Sequence, residues 1–188
     1  MKYAAFDVET PNRQNRRMSA LGIALLDESG ITKALSFLVD PETHFDPFNI
    51  SLTGITPAMV KNAPAFPQLW GELEPLLSGR TILAHNAPFD LGVLSKCLRD
   101  YGIAWGPLVP YLCTCRMSRR LLPQLPNHRL NTLAAHFSIP LRHHAADSDS
   151  QACGEIFLRL VRSGADPAPF LRLYDLESRR TLPRGRWP

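Results

Sequence analysis

The sequence has few cysteines and no long hydrophobic segment. Four cysteines occur among 188 residues, and their spacing does not suggest a disulfide framework. No apolar run approaches the ~18 residues that a membrane span needs. Strand-like sequence follows Met1 and Lys2 directly, without the apolar core of a signal peptide. These absences argue against a disulfide-stabilised secreted domain and against a membrane protein, and we expect a cytoplasmic location.

The histidines and cysteines also lack the spacing of a structural zinc site. Cys113 and Cys115 form a C-x-C pair, whereas structural zinc sites favour two to four residues between paired cysteines. The pair lies where a strand is predicted to pass into a helix, so the two side chains do not converge. We therefore do not predict zinc ligands, even though two adjacent histidines occur at 143 and 144.

The overall composition is that of an ordinary globular protein, with 45% hydrophobic and 20% charged residues. A compact chain of this size hides roughly 70% of its unfolded surface, which is enough for a core without disulfides. Lys and Arg total 21 against 17 Asp and Glu, giving a net charge of +4. This charge permits a polyanionic partner without requiring one.

The character of the sequence changes near its C-terminus. After Ser163 the chain carries five arginines and four prolines. We therefore predict a folded domain over residues 1–164 and a loose, basic, Pro/Arg-rich tail over residues 165–188. Apolar residues within 169–177 could still form a short docked helix. The tail could contact phosphates of a substrate, although such termini are also common as solvated extensions.

The hydrophobic pattern predicts three consecutive strands followed by alternating helices and strands. The strands are expected at 3–8, 21–26, 35–39, 81–84 and just before Cys113, and the helices at 57–61, 66–77, 88–101, 114–122, 130–137 and 147–162. This order indicates an α/β fold with a mixed sheet, three antiparallel strands followed by parallel ones, flanked by helices.

Acidic residues follow two of the predicted strands. Asp7 and Glu9 stand two apart at the end of an apolar strand, so their side chains project from one face. Asp90 lies in the first turn of the helix after the fourth strand. The carboxyl ends of strands are where open α/β sheets place ligand sites. Each acid also has a simpler explanation, a solvated turn for the pair and a favourable helix dipole for Asp90.

A third polar segment opens the last predicted helix. His143 and His144 precede Asp149, whose carboxylate would lie in the first helical turn. A histidine and an aspartate at a helix start are often a surface residue and a cap. A third acid beside two other acidic segments is harder to explain in that way.

These three segments resemble the motifs of the DEDDh family of DnaQ-like 3′–5′ exonucleases. The matching stretches are Phe6-Asp7-Val8-Glu9-Thr10, His85-Asn86-x-x-Phe89-Asp90 and His144-x-Ala146-x-x-Asp149. Gly54-Ile55-Thr56-Pro57 and residues 113–121 resemble two further stretches of the family. The resemblance covers about residues 2–162 and is closer to stand-alone bacterial members than to polymerase proofreading subunits. It implies an RNase H-like fold.

The resemblance also implies roles for individual residues. Asp7, Glu9, Asp90 and Asp149 would hold two divalent metal ions, Mg²⁺ or Mn²⁺, and His144 would act as the general base. The residues implied in substrate binding are Thr10, Leu52, His85, Asn86 and Phe89. Only His144 has the family spacing to Asp149, so His143 and Asp147 are interpreted as bystanders. Thr53 and Cys113 depart from the residues that many relatives carry, histidine and aspartate.

The implied function is a metal-dependent 3′–5′ exonuclease that releases nucleoside monophosphates from DNA, with RNA left open as a second substrate. Its nucleic-acid partner would be a single strand or a duplex 3′ end. The alternative is a polymerase-associated proofreading or tethering module whose binding role outweighs its catalysis. A pure binding module has no need for four carboxylates around an anionic ligand, which favours the enzyme.

Overall fold

A seven-stranded mixed sheet forms the centre of the computed structural model, which describes residues 2–183. The strands are β1 (Tyr3–Glu9), β2 (Ala20–Asp27), β3 (Gly30–Leu38), β4 (Thr81–Ala84), β5 (Leu108–Cys113), β6 (Arg172–Asp175) and β7 (Arg180–Thr181). Their spatial order is β3-β2-β1-β4-β5-β6-β7. The pairs β1·β4 and β4·β5 are parallel and the other neighbours are antiparallel, which confirms the predicted mixed sheet.

Helices pack on both faces of this sheet. They are α1 (Pro47–Thr53), α2 (Pro57–Val60), α3 (Phe66–Leu77), α4 (Ala87–Asp100), α5 (Thr114–Leu121), α6 (Leu130–His136) and α7 (Ala146–Arg162). Six of the seven match predicted helices, and α1 does not. Among residues 2–183, no helix is both long and apolar enough to cross a membrane.

The alternation of β1 divides the core into two layers. Ala4, Phe6 and Val8 face a cluster that contains buried residues of α3 and α4. Tyr3 and Ala5 face the opposite cluster, which contains residues of α6 and α7. Because side chains alternate along a strand, Asp7 and Glu9 project on the same side as Tyr3 and Ala5, toward α7.

The C-terminal segment differs from its prediction. In place of a loose tail or a helix over 169–177, residues 168–170 form one 3₁₀ turn and the chain then adds β6 and β7 to the sheet edge. β6 pairs antiparallel with β5, and Tyr174 is buried. Pairing with a distant strand therefore outweighs the local proline and arginine content. Arg184 and Arg186 of the predicted tail lie outside the described residues.

Candidate active site

The acidic residues of the three motifs meet at the carboxyl ends of β1 and β4. β1 carries Asp7 and Glu9 toward α7, and the first turns of α7 carry Asp149 back across the sheet. One carboxylate oxygen from each of these three residues lies within 4.8 Å of the others. Glu9 and Asp149 are buried and Asp7 is half-buried. Three acids thus share a small volume at the edge of the core.

A glycine on the neighbouring strand permits this approach. Gly22 pairs with Asp7 in the antiparallel register of β1 and β2. A Cβ atom built on Gly22 would overlap the backbone carbonyl of Ala146, the first residue of α7. Only glycine therefore lets the N-terminus of α7 lie this close to β2. The position of Asp149 depends on that contact.

Asp90 reaches the same site from the other side of the sheet. It lies in the first turn of α4, and its Oδ1 accepts the backbone N–H of Val8 at 3.3 Å. Asn86, just before the helix, adopts a left-handed conformation with φ of 78°. This conformation turns the chain sharply from β4 into α4. Asp90 is buried between the acids of β1 and its own helix.

The four carboxyl groups repel one another when they are charged and no cation is bound. Burial, followed by repulsion from Asp149 and Asp90, raises the pKa of Glu9 to about 8. Burial raises the pKa of Asp90 to about 8 as well, against the opposing effect of the Val8 hydrogen bond. Burial and the neighbouring carboxylates hold the pKa of Asp7 well above its usual range. Like charges crowded in a low-dielectric site favour protonation unless a positive charge is present.

Asp149 provides the clearest indication that such a charge belongs here. Its Oδ1 is buried and has no hydrogen-bond partner among residues 2–183. A buried carboxylate oxygen without a donor is costly. Clustered hard oxygen ligands are the set that Mg²⁺, Mn²⁺ and Ca²⁺ prefer. The residues present therefore fit a divalent metal site.

The two adjacent histidines both contact Asp149. Nδ1 of His143 lies 3.1 Å from Oδ2 of Asp149, and the same oxygen accepts the backbone N–H of His144 at 3.0 Å. The two imidazole rings stack with centroids 3.9 Å apart. The interpretation of His143 as a bystander is wrong in this respect, because its side chain is within hydrogen-bond distance of the carboxylate. Asp147 instead pairs with Arg142 at the surface.

An open cleft of about 540 Å³ lies over the carboxylates. All ten residues that the sequence analysis assigned to the site line this cleft. Thr10 is buried, and Asn49 of α1 donates to its carbonyl oxygen at 2.9 Å. Leu52 and Phe89 are 41% and 40% exposed, so each presents an apolar surface to the cleft.

His85 lines the cleft, but both of its ring nitrogens have partners in the protein. Nε2 lies 2.9 Å from the carbonyl oxygen of His128, so this nitrogen must carry the proton and donate. Nδ1 lies 2.9 Å from the hydroxyl of Thr114. Burial lowers the pKa of His85 to about 4, which keeps the ring neutral. His85 therefore connects α5 to the loop before α6, and its nitrogens are not available to a ligand in this arrangement.

Several cleft residues were not among those predicted. Asn49 belongs to α1, and Asn127, Arg129 and Arg119 line the wall formed by α5 and the following loop. Arg119 lies within the stretch 113–121 that resembles the family, so a signal for it was present. No such signal was present for Asn49, because its helix was not predicted.

Comparison with known proteins identifies the family of this chain. The family model RNase_T, described as an exonuclease, matches residues 4–157. The PolC-type DNA polymerase III of Oceanobacillus iheyensis is 34% identical over 165 residues, which cover 85% of this chain and 11% of that protein. The chain thus spans about a ninth of the length of this curated relative.

Solved exonuclease structures share the fold. Exonuclease X in complex with 5′ overhanging duplex DNA superposes with a TM-score of 0.72 at 21% identity, covering 89% of this chain and 96% of that one. The nuclease domain of 3′hExo, a DEDDh family member bound to rAMP, gives 0.73 at 20% identity, covering 87% and 92%. These likenesses confirm the predicted RNase H-like fold.

Proposed function

The chain belongs to the exonuclease family, and from that premise we propose that it hydrolyses the terminal phosphodiester bond at the 3′ end of a DNA strand and releases nucleoside monophosphates. The observation that carries this proposal is the meeting of Asp7, Glu9 and Asp149 within 4.8 Å, beside Asp90, at the floor of an open cleft. An open cleft suits a strand end that enters and leaves after each cut.

Asp7, Glu9, Asp90 and Asp149 would hold two divalent ions, Mg²⁺ or Mn²⁺. When bound, these ions would offset the negative charge that develops on the phosphate oxygens during hydrolysis. The raised pKa values of Glu9 and Asp90 and the unpartnered oxygen of Asp149 support this assignment. A cation would return the carboxyl groups to their charged form at neutral pH.

His144 would accept the proton of the attacking water. Burial and the adjacent His143 lower its pKa, so the neutral ring that can take a proton is the main form at neutral pH. Its backbone N–H is fixed on Asp149 at 3.0 Å, which holds the residue at the edge of the carboxylate cluster. A base held near the reacting groups loses little entropy when the proton moves.

The terminal nucleotide would lie between two apolar side chains and a buried threonine. Leu52 and Phe89 present exposed apolar surface to the cleft, which suits a nucleobase. Thr10, held by Asn49, and Asn86 would contact the sugar and phosphate side. None of these contacts reads a base edge, so we expect broad sequence tolerance.

A polymerase-associated role is a second candidate, because the similar region of PolC-type DNA polymerase III is part of a polymerase. In that role the chain would remove mismatched 3′ ends beside a polymerase. It would also bind a polymerase, whereas a stand-alone nuclease would not. Adding a replicative polymerase to the digestion assay would separate the two, since a proofreading module should act faster on mismatched ends in its presence.

The test of the main proposal is a digestion panel. DNA and RNA, single- and double-stranded, labelled at the 3′ or the 5′ end, are incubated with Mg²⁺, Mn²⁺ or excess chelator. We expect mononucleotides released from the 3′ end only when a divalent metal is present. Activity in chelator, or internal cuts on a circular strand, would contradict the proposal, and Asp7→Asn serves as the inactive control.

A further inference from the structure

The positive charge of this chain is concentrated in its middle. Between Asp100 and Asp147 the sequence contains no Asp or Glu, yet it carries arginines at 116, 119, 120, 129 and 142. This stretch includes α5, the loop that lines the cleft, and α6. A run of cations without intervening acids indicates a surface that meets an anion.

Three of these arginines lie on α5 without a carboxylate partner. Arg116, Arg119 and Arg120 are exposed, and none is within ion-pair distance of an acid in residues 2–183. In contrast, Arg16, Arg17 and Arg99 all pair with Asp100. Arg116 and Arg120 are four apart, so they lie on the same side of the helix and repel each other. An anionic ligand would relieve that repulsion.

The arginines of α5 also shape a recess. Arg116, Arg119 and Arg120 line a cavity of about 280 Å³ together with Pro169, Phe170 and Arg172. Arg119 lines both this recess and the cleft over the carboxylates, and Arg129 lines the cleft as well. A continuous basic surface therefore leads from the carboxylates outward along α5. We call Arg116, Arg119, Arg120 and Arg129 the arginine track.

Two other residues of the cleft wall have a different character. Leu52 of α1 and Phe89 of α4 present apolar surface there. A nucleic-acid strand has an apolar side, its bases, and an anionic side, its phosphates. The cleft therefore offers apolar surface for the bases, at Leu52 and Phe89, and cations for the phosphates, at Arg119 and Arg129.

We propose that the arginine track binds the phosphates of the substrate strand on the 5′ side of the terminal nucleotide. The inference rests on the proposed function, since it assumes that a 3′ end lies in the cleft. Arginine forks form bidentate, charge-assisted hydrogen bonds with phosphate. The ligand is thus a single strand long enough to reach from the carboxylates to the recess, and short substrates lack these contacts.

The test compares a short and a long substrate in Arg116→Gln/Arg120→Gln. The p-nitrophenyl ester of thymidine 5′-monophosphate fits the cleft alone, whereas a 12-nucleotide oligothymidylate extends past it. We expect the ratio of kcat/KM for the 12-mer to kcat/KM for the ester to fall about tenfold in this variant. The loss should appear in KM, because the track does not touch the reacting phosphate.

The matched control is Arg159→Gln/Arg162→Gln, which removes the same charge from the far end of α7. Arg159 lies ten residues after Asp149, about 15 Å along the helix. In this control variant, the ratio of kcat/KM for the 12-mer to kcat/KM for the ester should equal that of the wild type. An unchanged ratio in Arg116→Gln/Arg120→Gln, or an equal fall in the control, would overturn the proposal.

Binding is measured separately, by fluorescence anisotropy of the labelled 12-mer with Ca²⁺ in place of Mg²⁺. The slope of log affinity against log salt should flatten by about 0.7 for each lost phosphate contact.

An oligouridylate of equal length shows whether the arginine track binds RNA as well as DNA. The wild type could hydrolyse neither substrate while the variant still binds the 12-mer more weakly than the wild type does. That result would contradict the proposed function but support binding of the strand by the arginine track. Equal affinities for the 12-mer would remove the track from the binding surface.

Discussion

Nδ1 of His143 lies 3.1 Å from Oδ2 of Asp149, the same oxygen that accepts the backbone N–H of His144. Two stacked imidazoles thus share one carboxylate, one through its side chain and the other through its backbone. Both rings line the cleft, and the ring of His143 lies within hydrogen-bond distance of Asp149. We therefore expect the two adjacent residues to have separable roles, His144 as the proton acceptor and His143 as a residue that orients Asp149.

The first prediction distinguishes these histidines. His144→Ala should lower kcat by roughly 10²–10⁴-fold, the usual loss when a positioned proton acceptor is removed. His143→Ala should lower it less than about tenfold and mainly raise the metal concentration needed for half-maximal rate, since Asp149 loses a partner that orients it. Steady-state rates over a Mn²⁺ titration measure both effects. A larger loss for His143→Ala than for His144→Ala would reverse the two roles.

The second prediction concerns pH and metal. The pKa of Glu9 and of Asp90 is raised to about 8, so the folded metal-free protein holds protons that the unfolded chain releases near pH 4. The stability that protonation gives is complete below about pH 4 and is lost as the pH rises toward 8. The melting temperature of the metal-free protein should therefore fall between pH 5 and pH 8.

Added Mg²⁺ or Mn²⁺ should reverse that fall, and more strongly at the higher pH, because bound cations stabilise the charged carboxylates. Glu9→Gln should weaken both the pH dependence and the effect of the metal. Thermal melts with chelator or with metal provide the measurement. A metal-free melting temperature that rises across this range would contradict the sign of the shift.

The third prediction tests the contact between β2 and α7. Gly22→Ala would place a methyl group against the backbone of Ala146, so we expect a loss of about 1–3 kcal/mol or more in the free energy of unfolding. Activity should fall further than stability alone explains, since Asp149 moves with the helix. Gly71→Ala is the matched control, because a Cβ there meets nothing within 4 Å and the residue lies within α3. That variant should be neutral or more stable.

The fourth prediction concerns the apolar residues of the cleft. Phe89→Ala should raise KM for a DNA strand, because stacking on a base contributes about 1–3 kcal/mol. Leu52→Ala should act in the same direction by a smaller amount. Met59→Ala is the control, since Met59 is 50% exposed but does not line the cleft. Equal KM values for Phe89→Ala and Met59→Ala would remove Phe89 from the binding surface.

The elements with strong local patterns could be predicted from the sequence. The buried strands β1 and β4 and the amphipathic helices α4 and α7 carry the motifs, and their order placed three acids at neighbouring strand ends and a fourth at the start of α7. The cluster at the cleft floor followed from that order. The roles of its members remain predictions.

Other features had weak local signals. α1 is only seven residues long and begins at Pro47, and it ends where Gly54 adopts a left-handed conformation with φ of 73°. Its apolar residues Phe48 and Leu52 are exposed, so they do not form the core-facing apolar stripe by which a helix is predicted. The contact of His143 with Asp149 depends on the left-handed turn at His144, with φ of 66°, which spacing does not reveal.

The pairing of β6 with β5 has a consequence for any shortened version of this protein. A chain cut at residue 164, where the sequence suggests a boundary, would lack β6, so one edge of β5 would have no paired strand. Ser95 would also lose its hydrogen bond to the carbonyl of Leu176. The shortened chain would also lose the wall of the recess that Phe170 and Arg172 provide. Exposed strand edges recruit other chains. Such a fragment should therefore aggregate. The last two strands thus protect the edge of β5 from pairing with other chains.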